Sequence, residues 1–104
     1  VEIQFIEKFT TRMSWFVYVV RFDATIDRDA LAQKLIARGV PVRPYFAPIH
    51  LQPYMVSKFG YQPGDFPITE DLGNRGLALP FSGVMSEALV EQVSQTIAEA
   101  LLEK

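Results

Sequence analysis

Three prolines within eleven residues constrain the fold of this chain more than any other feature. The stretch RPYFAPIHLQP contains Pro44, Pro48 and Pro53. Each proline lacks a backbone amide donor and fixes its own φ, so the stretch can be neither a helix interior nor a central strand. The sequence therefore predicts a stiff loop. Its chemically distinctive side chains are Arg43, Tyr45, Phe46 and His50.

Composition places the chain among ordinary globular domains. It has 104 residues, 49% of them hydrophobic and 21% charged. This is enough for one domain with one modest core, and residues 1–104 contain no linker that would divide it. No apolar run approaches the roughly 18 residues of a membrane helix, and no signal-peptide pattern opens the chain. We expect a soluble, cytoplasmic protein without membrane contact.

Charge and residue usage exclude several classes of site. The formal net charge is −2 with dispersed Lys and Arg, so the electrostatic term that drives nucleic-acid binding is missing. The absence of cysteine excludes disulfides, thiolate catalysis and Cys-ligated zinc. His50 is the only histidine, so no two-histidine metal motif can form within the chain. We expect no metal site.

Local patterns predict the order of elements. Strands are expected at 1–5, where apolar and polar residues alternate, and at 14–22, whose apolar run indicates a strand covered on both faces. Asp27 and Ser86 are predicted N-caps of two amphipathic helices, and a short helix should begin at Pro53 and end at Gly60. Pro-Gly at 63–64 predicts a turn. The remaining predicted elements are strands at 40–43 and 77–81 and a helix at 68–76.

Two helix faces can be predicted from spacing. In the first long helix the apolar stripe is expected to comprise Leu31, Leu35 and Ile36. In the last helix the predicted stripe comprises Leu89, Val93, Ile97, Ala100 and Leu101. Helices with one apolar stripe each must pack on a sheet, which predicts an α/β (α+β) fold: a small two-layer sandwich with a sheet of about three strands.

The residues alone leave the chemistry open. His50 fits either proton transfer or a loop histidine bonded to a backbone carbonyl. Arg43 fits either an anion clamp or a surface salt bridge, and Tyr45 with Phe46 fits either a wall for a ring or plain packing. Three clustered acidic residues are best explained as solvated helix caps: Asp65, Glu70 and Asp71. GNRG at 73–76 lacks the spacing of a phosphate-binding loop.

Four motifs, in order, resemble one known family. They are GVPVRPYFAPIHLQPY (39–54), FGYQPGDFPITE (59–70), LALPF (77–81) and VEQVSQTI (90–97). The chain is similar, from about residue 15 to 102, to the C-terminal part of the DegT/DnrJ/StrS sugar aminotransferases, which use pyridoxal phosphate. The sequences of these motifs most resemble those of members that act on nucleotide-linked 4-keto-6-deoxy sugars, such as perosamine synthases.

The resemblance implies a fold type I aminotransferase in which this chain is the C-terminal small domain. A large N-terminal domain of the same polypeptide would bind the cofactor, and the whole enzyme would be a homodimer. Its substrates would be an amino donor, usually glutamate, and a nucleotide sugar. The resemblance implies no catalytic residue here, because the family's lysine motif is matched by none of the lysines, which are Lys8, Lys34, Lys58 and Lys104. The fragment alone should be inactive.

Carried over from the matching motif, Tyr45 and His50 are expected to face the substrate and cofactor cleft, together with Arg43 and Phe46. Two alternatives are a stand-alone small-molecule-binding or regulatory module and a purely structural dimerisation domain. A stand-alone module predicts a complete core. A domain of a larger enzyme predicts an exposed apolar face where the large domain docks.

Overall fold

A computed structural model describes residues 1–103, so Lys104 lies outside the described residues. The strands in this range are β1 (Glu2–Ile3), β2 (Tyr18–Arg21), β3 (Arg43–Pro44) and β4 (Gly76–Leu79). The helices in the same range are α1 (Arg28–Ala37), α2 (Pro53–Phe59), α3 (Pro67–Arg75) and α4 (Glu87–Leu102), and a 3-10 turn covers Ile49–Leu51. Among these helices none has both the length and the apolar character that crossing a bilayer requires.

The strands of residues 1–103 form one antiparallel sheet in the order β1-β2-β4-β3. Val20 of β2 lies opposite Leu77 of β4, so both side chains point to the same face. The mixed α/β fold class is confirmed. The sheet has four strands in the described range where about three were expected.

The core lies between one face of the sheet and two helices. Helix α1 contacts α4 and also strands β3 and β4. Residues Phe22, Leu35 and Leu77 have the largest fully buried side chains, and burial of each contributes roughly 1.5–3 kcal/mol. The other buried apolar residues are Val20, Leu31, Ala32, Val40, Val42, Ile97 and Ala100. The second layer of the sandwich is therefore made by α1 and α4.

The predicted helix ends are confirmed. The Asp27 carboxylate accepts a hydrogen bond from the Ala30 amide at 2.9 Å, and the Ser86 hydroxyl accepts one from the Leu89 amide at 3.3 Å. Helix α2 begins at Pro53, and Gly60, with φ +70°, is the C-cap that follows its last residue, Phe59. These caps involve neighbours in sequence, which is why they could be predicted.

Both predicted helix stripes need a correction. In α1 the buried positions are Arg28, Leu31, Ala32 and Leu35, whose spacing of i, i+3, i+4 and i+7 defines one face. Ile36 lies outside that face and is exposed, so its assignment to the core was wrong. In α4 Leu89 is likewise exposed, whereas Ile97 and Ala100 are buried.

The two N-terminal strands are shorter than predicted. The first is limited to Glu2–Ile3, and the second begins at Tyr18 although the apolar run begins earlier. Residues 14–17 have neither helix nor strand structure, and the Trp15 ring packs near Tyr18, with the ring centroids 5.7 Å apart. Only Val20 of β2 is fully buried, so the prediction that both faces of this strand are covered was wrong.

Arg28 is a buried charge that the sequence did not indicate. The residue is 8% exposed, and its guanidinium donates hydrogen bonds to the carbonyls of Gly73, at 3.0 Å, and Gly76. It also donates to the Asp29 carboxylate at 2.7 Å. The carbonyls at the end of α3 have no partners within the helix, so Arg28 satisfies them and attaches α3 to the start of α1.

We expect Arg28→Met to lower the free energy of unfolding by about 1–3 kcal/mol, because the two carbonyls lose their charged donor in a buried setting. Arg38→Met is the matched control. The Arg38 guanidinium contacts Glu103 at the surface, and loss of such a pair costs at most about 1 kcal/mol. Urea unfolding of both variants measures the difference, and equal losses would contradict the role of Arg28.

Candidate functional site

The proline loop, the 3-10 turn, α2 and α3 surround an open cavity of about 460 Å³. Its walls are mostly apolar and aromatic, with the polar atoms of a few side chains among them. The lining residues are Tyr45, Phe46, Ala47, Pro48, Ile49, His50, Met55, Tyr61, Phe66, Thr69, Leu72 and Gly73. Apolar walls with few polar groups are typical of sites for small organic ligands.

Two glycines allow the proline loop to lie directly on α3. A methyl group at Gly73 would be 2.9 Å from the Phe46 carbonyl oxygen and 3.0 Å from Pro48 Cδ. A methyl group at Gly76, the first residue of β4, would be 2.6 Å from the Leu72 carbonyl oxygen and 2.8 Å from the Tyr45 carbonyl oxygen. The Tyr45 amide also donates a hydrogen bond to the Gly76 carbonyl at 3.3 Å. The loop backbone therefore approaches α3 more closely than any larger residue would permit.

His50 is held by a carboxylate. The residue is 6% exposed, and its Nε2 lies 2.9 Å from Oε1 of Glu70 in α3. The imidazole also contacts two aromatic rings edge to face, with centroid distances of 4.8 Å to Phe66 and 6.2 Å to Tyr61. The sequence left open a hydrogen bond from His50 to a backbone carbonyl, and in the structure the partner is instead the Glu70 carboxylate.

Glu70 has more partners than His50. Its carboxylate accepts hydrogen bonds from the Gly64 amide at 2.9 Å and from the Phe66 amide at 3.4 Å. The hydrogen bond with His50 lowers the pKa of Glu70, and the two amides add to this effect, while partial burial opposes it. The expectation that Glu70 is a solvated cap was wrong, because its carboxylate is directed inward to His50.

The other two clustered acids have separate local roles. The Asp65 carboxylate accepts a hydrogen bond from the Gln62 amide at 2.9 Å and so closes the predicted turn. Asp71 lies 3.3 Å from Arg75 and 3.5 Å from Arg21. No group of three or more potential metal-ligating side chains occurs within residues 1–103.

Three of the four predicted site residues meet at the cavity. Tyr45, Phe46 and His50 all line it, and the rings of Tyr45 and Phe46 pack edge to face with centroids 4.7 Å apart. Arg43 lies on the edge strand β3, is exposed and is not a lining residue. The sequence analysis did not predict Glu70 as a site residue, because its partner His50 lies twenty positions away. The one signal in the sequence was that Glu70 is an acidic residue in the first turn of α3.

Large apolar side chains cover part of the surface. Phe5, Phe9 and Phe16 are 78%, 83% and 80% exposed. The radius of gyration is 15.8 Å, compared with about 13 Å for a compact domain of this length. Exposed aromatic residues on one segment are a feature of surfaces that bind another protein or domain.

Two solved structures that are similar to this chain are aminotransferases. The aminotransferase TlmJ from Streptoalloteichus hindustanus is 36% identical and has a TM-score of 0.66, covering 82% of this chain and 22% of that one. A DegT DnrJ EryC1 StrS aminotransferase from Brucella abortus is 31% identical with a TM-score of 0.67, covering 86% of this chain and 23% of that one.

Sequence relatives agree with the structural neighbours. The spore coat polysaccharide biosynthesis protein SpsC of Bacillus subtilis is 29% identical over 85% of this chain, and a GDP-perosamine synthase of Escherichia coli is 31% identical over 86%. Residues 1–98 match the model of one family, and the chain belongs to this DegT/DnrJ/EryC1/StrS aminotransferase family. It spans about a quarter of the length of these relatives, 24% of the first and 23% of the second.

We expect Gly73→Ala to destabilise the fold by about 1–2 kcal/mol. The gain in helix propensity is about 1 kcal/mol, but displacement of the loop backbone costs more. Gly83→Ala is the matched control, because its new methyl group meets no atom within 4 Å. Denaturant unfolding compares the two variants, and a Gly73→Ala protein as stable as the control would refute the close contact.

The pH dependence of stability should reveal the Glu70 contacts. A carboxylate whose pKa is lowered by folding stabilises the folded state above its ordinary pKa of 4.5, and this contribution is lost as the pH falls through the lowered pKa. Between about pH 6 and pH 3 the wild type should lose more unfolding free energy than Glu70→Gln. The exposed Glu91→Gln is the control, and three equal losses would contradict the prediction.

Proposed function

We propose that residues 1–104 form the C-terminal small domain of a pyridoxal phosphate-dependent aminotransferase that transfers an amino group, usually from glutamate, to a nucleotide-linked keto sugar. The observation that carries the proposal is the cavity lined by Tyr45, Phe46 and His50 in a chain of an aminotransferase family. The name of the relative from Escherichia coli, GDP-perosamine synthase, supports a nucleotide sugar as the substrate class.

The cavity does not have the residues to hold pyridoxal phosphate by itself. No lysine or arginine is among its lining residues in the described part of the chain, so it supplies neither a covalent attachment nor a cation for the phosphate. Lys34 donates to the Glu103 carbonyl at 2.8 Å, and Lys58 lies over the Tyr54 ring on α2. We therefore assign the cofactor contacts to the large domain and no catalytic residue to this chain.

The role of the proline loop is to present a rigid wall to the substrate. Pro44 and Pro48 restrict the backbone on either side of Tyr45 and Phe46, and the contact with Gly73 fixes the loop against α3. Little conformational entropy is then lost when a ligand binds. Tyr45, Phe46 and His50 would contact the substrate, and exposed Arg43 would reach it only from the edge strand.

The exposed aromatic surface supports a second domain over a stand-alone module. Phe5, Phe9 and Phe16 are largely open to solvent, whereas a self-sufficient module would bury more of its large apolar side chains. We assign this surface to contact with the large domain of the same polypeptide. The proposal also includes homodimer formation and a cytoplasmic location, both of which rest on the resemblance to the family.

The function is tested with the full-length protein, pyridoxal phosphate, glutamate and a panel of nucleotide-linked 4-keto-6-deoxy sugars. We expect cofactor absorbance and glutamate-dependent formation of an amino sugar, detected by mass spectrometry. The 104-residue chain should show neither. A full-length protein that aminates none of the sugars would contradict the proposed substrate class, and one that binds no cofactor would contradict the proposed activity.

Substitutions in the wall of the cavity should weaken turnover. We expect Tyr45→Phe and His50→Asn each to lower kcat/KM of the full-length enzyme by about 10- to 100-fold, as the loss of one substrate hydrogen bond costs about 1–3 kcal/mol. Tyr54→Phe is the matched control, because Tyr54 is exposed on α2 and does not line the cavity. Unchanged kinetics in both wall variants would instead support a purely structural domain.

A further inference from the structure

Two chain segments meet at the carboxylate of Glu70, namely the 3-10 turn and the turn that leads into α3. Its Oε1 lies within hydrogen-bonding distance of His50 in the 3-10 turn, of Gly64 in the turn before α3 and of Phe66 at the start of α3. Oε2 accepts a further hydrogen bond from the Gly64 amide at 3.0 Å. The carboxylate is therefore fixed by the backbone, and the position of His50 depends on it.

The two imidazole nitrogens have different surroundings. Nε2 of His50 is 2.9 Å from Glu70, whereas Nδ1 has no hydrogen-bond partner among residues 1–103. No fully buried side-chain nitrogen or oxygen in this range lacks a partner, so Nδ1 is not fully buried. His50 lines the cavity and its Nε2 is bonded to Glu70, so Nδ1 is the nitrogen that remains for a hydrogen bond to a ligand there.

We propose that Glu70 is a positioning residue that holds the proton of neutral His50 on Nε2 and thereby makes Nδ1 a hydrogen-bond acceptor for a hydroxyl group of the ligand. A neutral imidazole has one donor and one acceptor nitrogen, and a carboxylate can only accept. The bond to Glu70 therefore sets the tautomer, as second-sphere carboxylates do for other functional histidines. The identity of the ligand as a nucleotide sugar rests on the proposed function.

Aromatic packing completes the orientation of the ring. Phe66 and Tyr61 contact the imidazole edge to face on the cavity side of α3, so that rotation of the ring would lose these contacts as well as the bond to Glu70. The lowered pKa of Glu70 keeps its carboxylate ionised near neutral pH, in the form that accepts hydrogen bonds only. For the neutral imidazole, geometry and the charge of Glu70 thus favour the same tautomer.

Nuclear magnetic resonance can test this with little ambiguity, because the chain has a single histidine. In the 104-residue chain labelled with ¹⁵N-histidine, we expect one imidazole proton, bonded to Nε2 and exchanging slowly with water, and an unprotonated Nδ1. Glu70→Ala should speed up exchange of this proton by about tenfold or more, the equivalent of one hydrogen bond. Glu70→Gln should restore slow exchange, since the amide oxygen can replace Oε1. Glu91→Ala is the control and should match the wild type.

The same measurement is made in the full-length protein, where the His50 signals are identified by their loss in His50→Asn. A proton on Nδ1 of the wild type, or equal exchange rates in the wild type and Glu70→Ala, would overturn the proposal. If Glu70 had only a structural role, Glu70→Ala would change the melting temperature. The tautomer of His50 and the exchange rate of its imidazole proton would then be the same in the wild type, Glu70→Ala and Glu70→Gln. If the full-length protein aminates a sugar but fails this test, the proposed function stands and the positioning role of Glu70 does not. If it passes the test but aminates no sugar, only the positioning role stands.

Discussion

The candidate site depends on the close approach of the proline loop to α3. Gly73 and Gly76 leave no side chain between the helix and the loop backbone, and a methyl group at either position would lie within 3.0 Å of a loop carbonyl oxygen. A glycine within a helix costs about 1 kcal/mol relative to alanine. Here that cost is offset by the contact, which places Tyr45, Phe46 and His50 around a single cavity.

Buried polar contacts extend this arrangement to the core. Arg28, at the start of α1, satisfies carbonyls at the end of α3, and Arg75 donates to the Phe22 carbonyl at 2.8 Å beside the sheet. Helix α3 is thus attached to the sandwich at its C-terminal end, while Glu70 near its other end contacts His50. The site is connected to the core through α3 and through β3, which pairs with β4 and leads into the proline loop. Its geometry is therefore set by groups that do not contact a ligand.

The residues that line the cavity are consistent with the proposal that another domain of the same polypeptide holds the cofactor. Its aromatic walls can contact sugar or base rings, and His50 and the tyrosine hydroxyls can bind polar substituents, but the lining in residues 1–103 has no cation. Chemistry that needs a lysine or a phosphate clamp must come from elsewhere. This agrees with a family in which the matched segment is about a quarter of each relative.

Local sequence signals predicted much of the fold and three residues of the candidate site. The caps at Asp27 and Ser86, the stop at Gly60 and the stiff loop follow from neighbouring residues, and the family motifs pointed to Tyr45, Phe46 and His50. The errors arose where local pattern competes with packing. Ile36 is apolar but lies off the buried face of α1, and the apolar run before Tyr18 does not pair with another strand.

What the sequence by itself determined was most of the elements, the class of fold and the proline restraints within residues 43–53, because caps, periodicity and proline act over a few positions. Only the tertiary structure decided which polar groups meet. Glu70 lies twenty positions from His50, and Arg28 lies forty-five from Gly73. Such pairs depend on how α3 packs against the loop and α1. No spacing along the chain encodes that packing, and so the partner of the only histidine could be identified only in three dimensions.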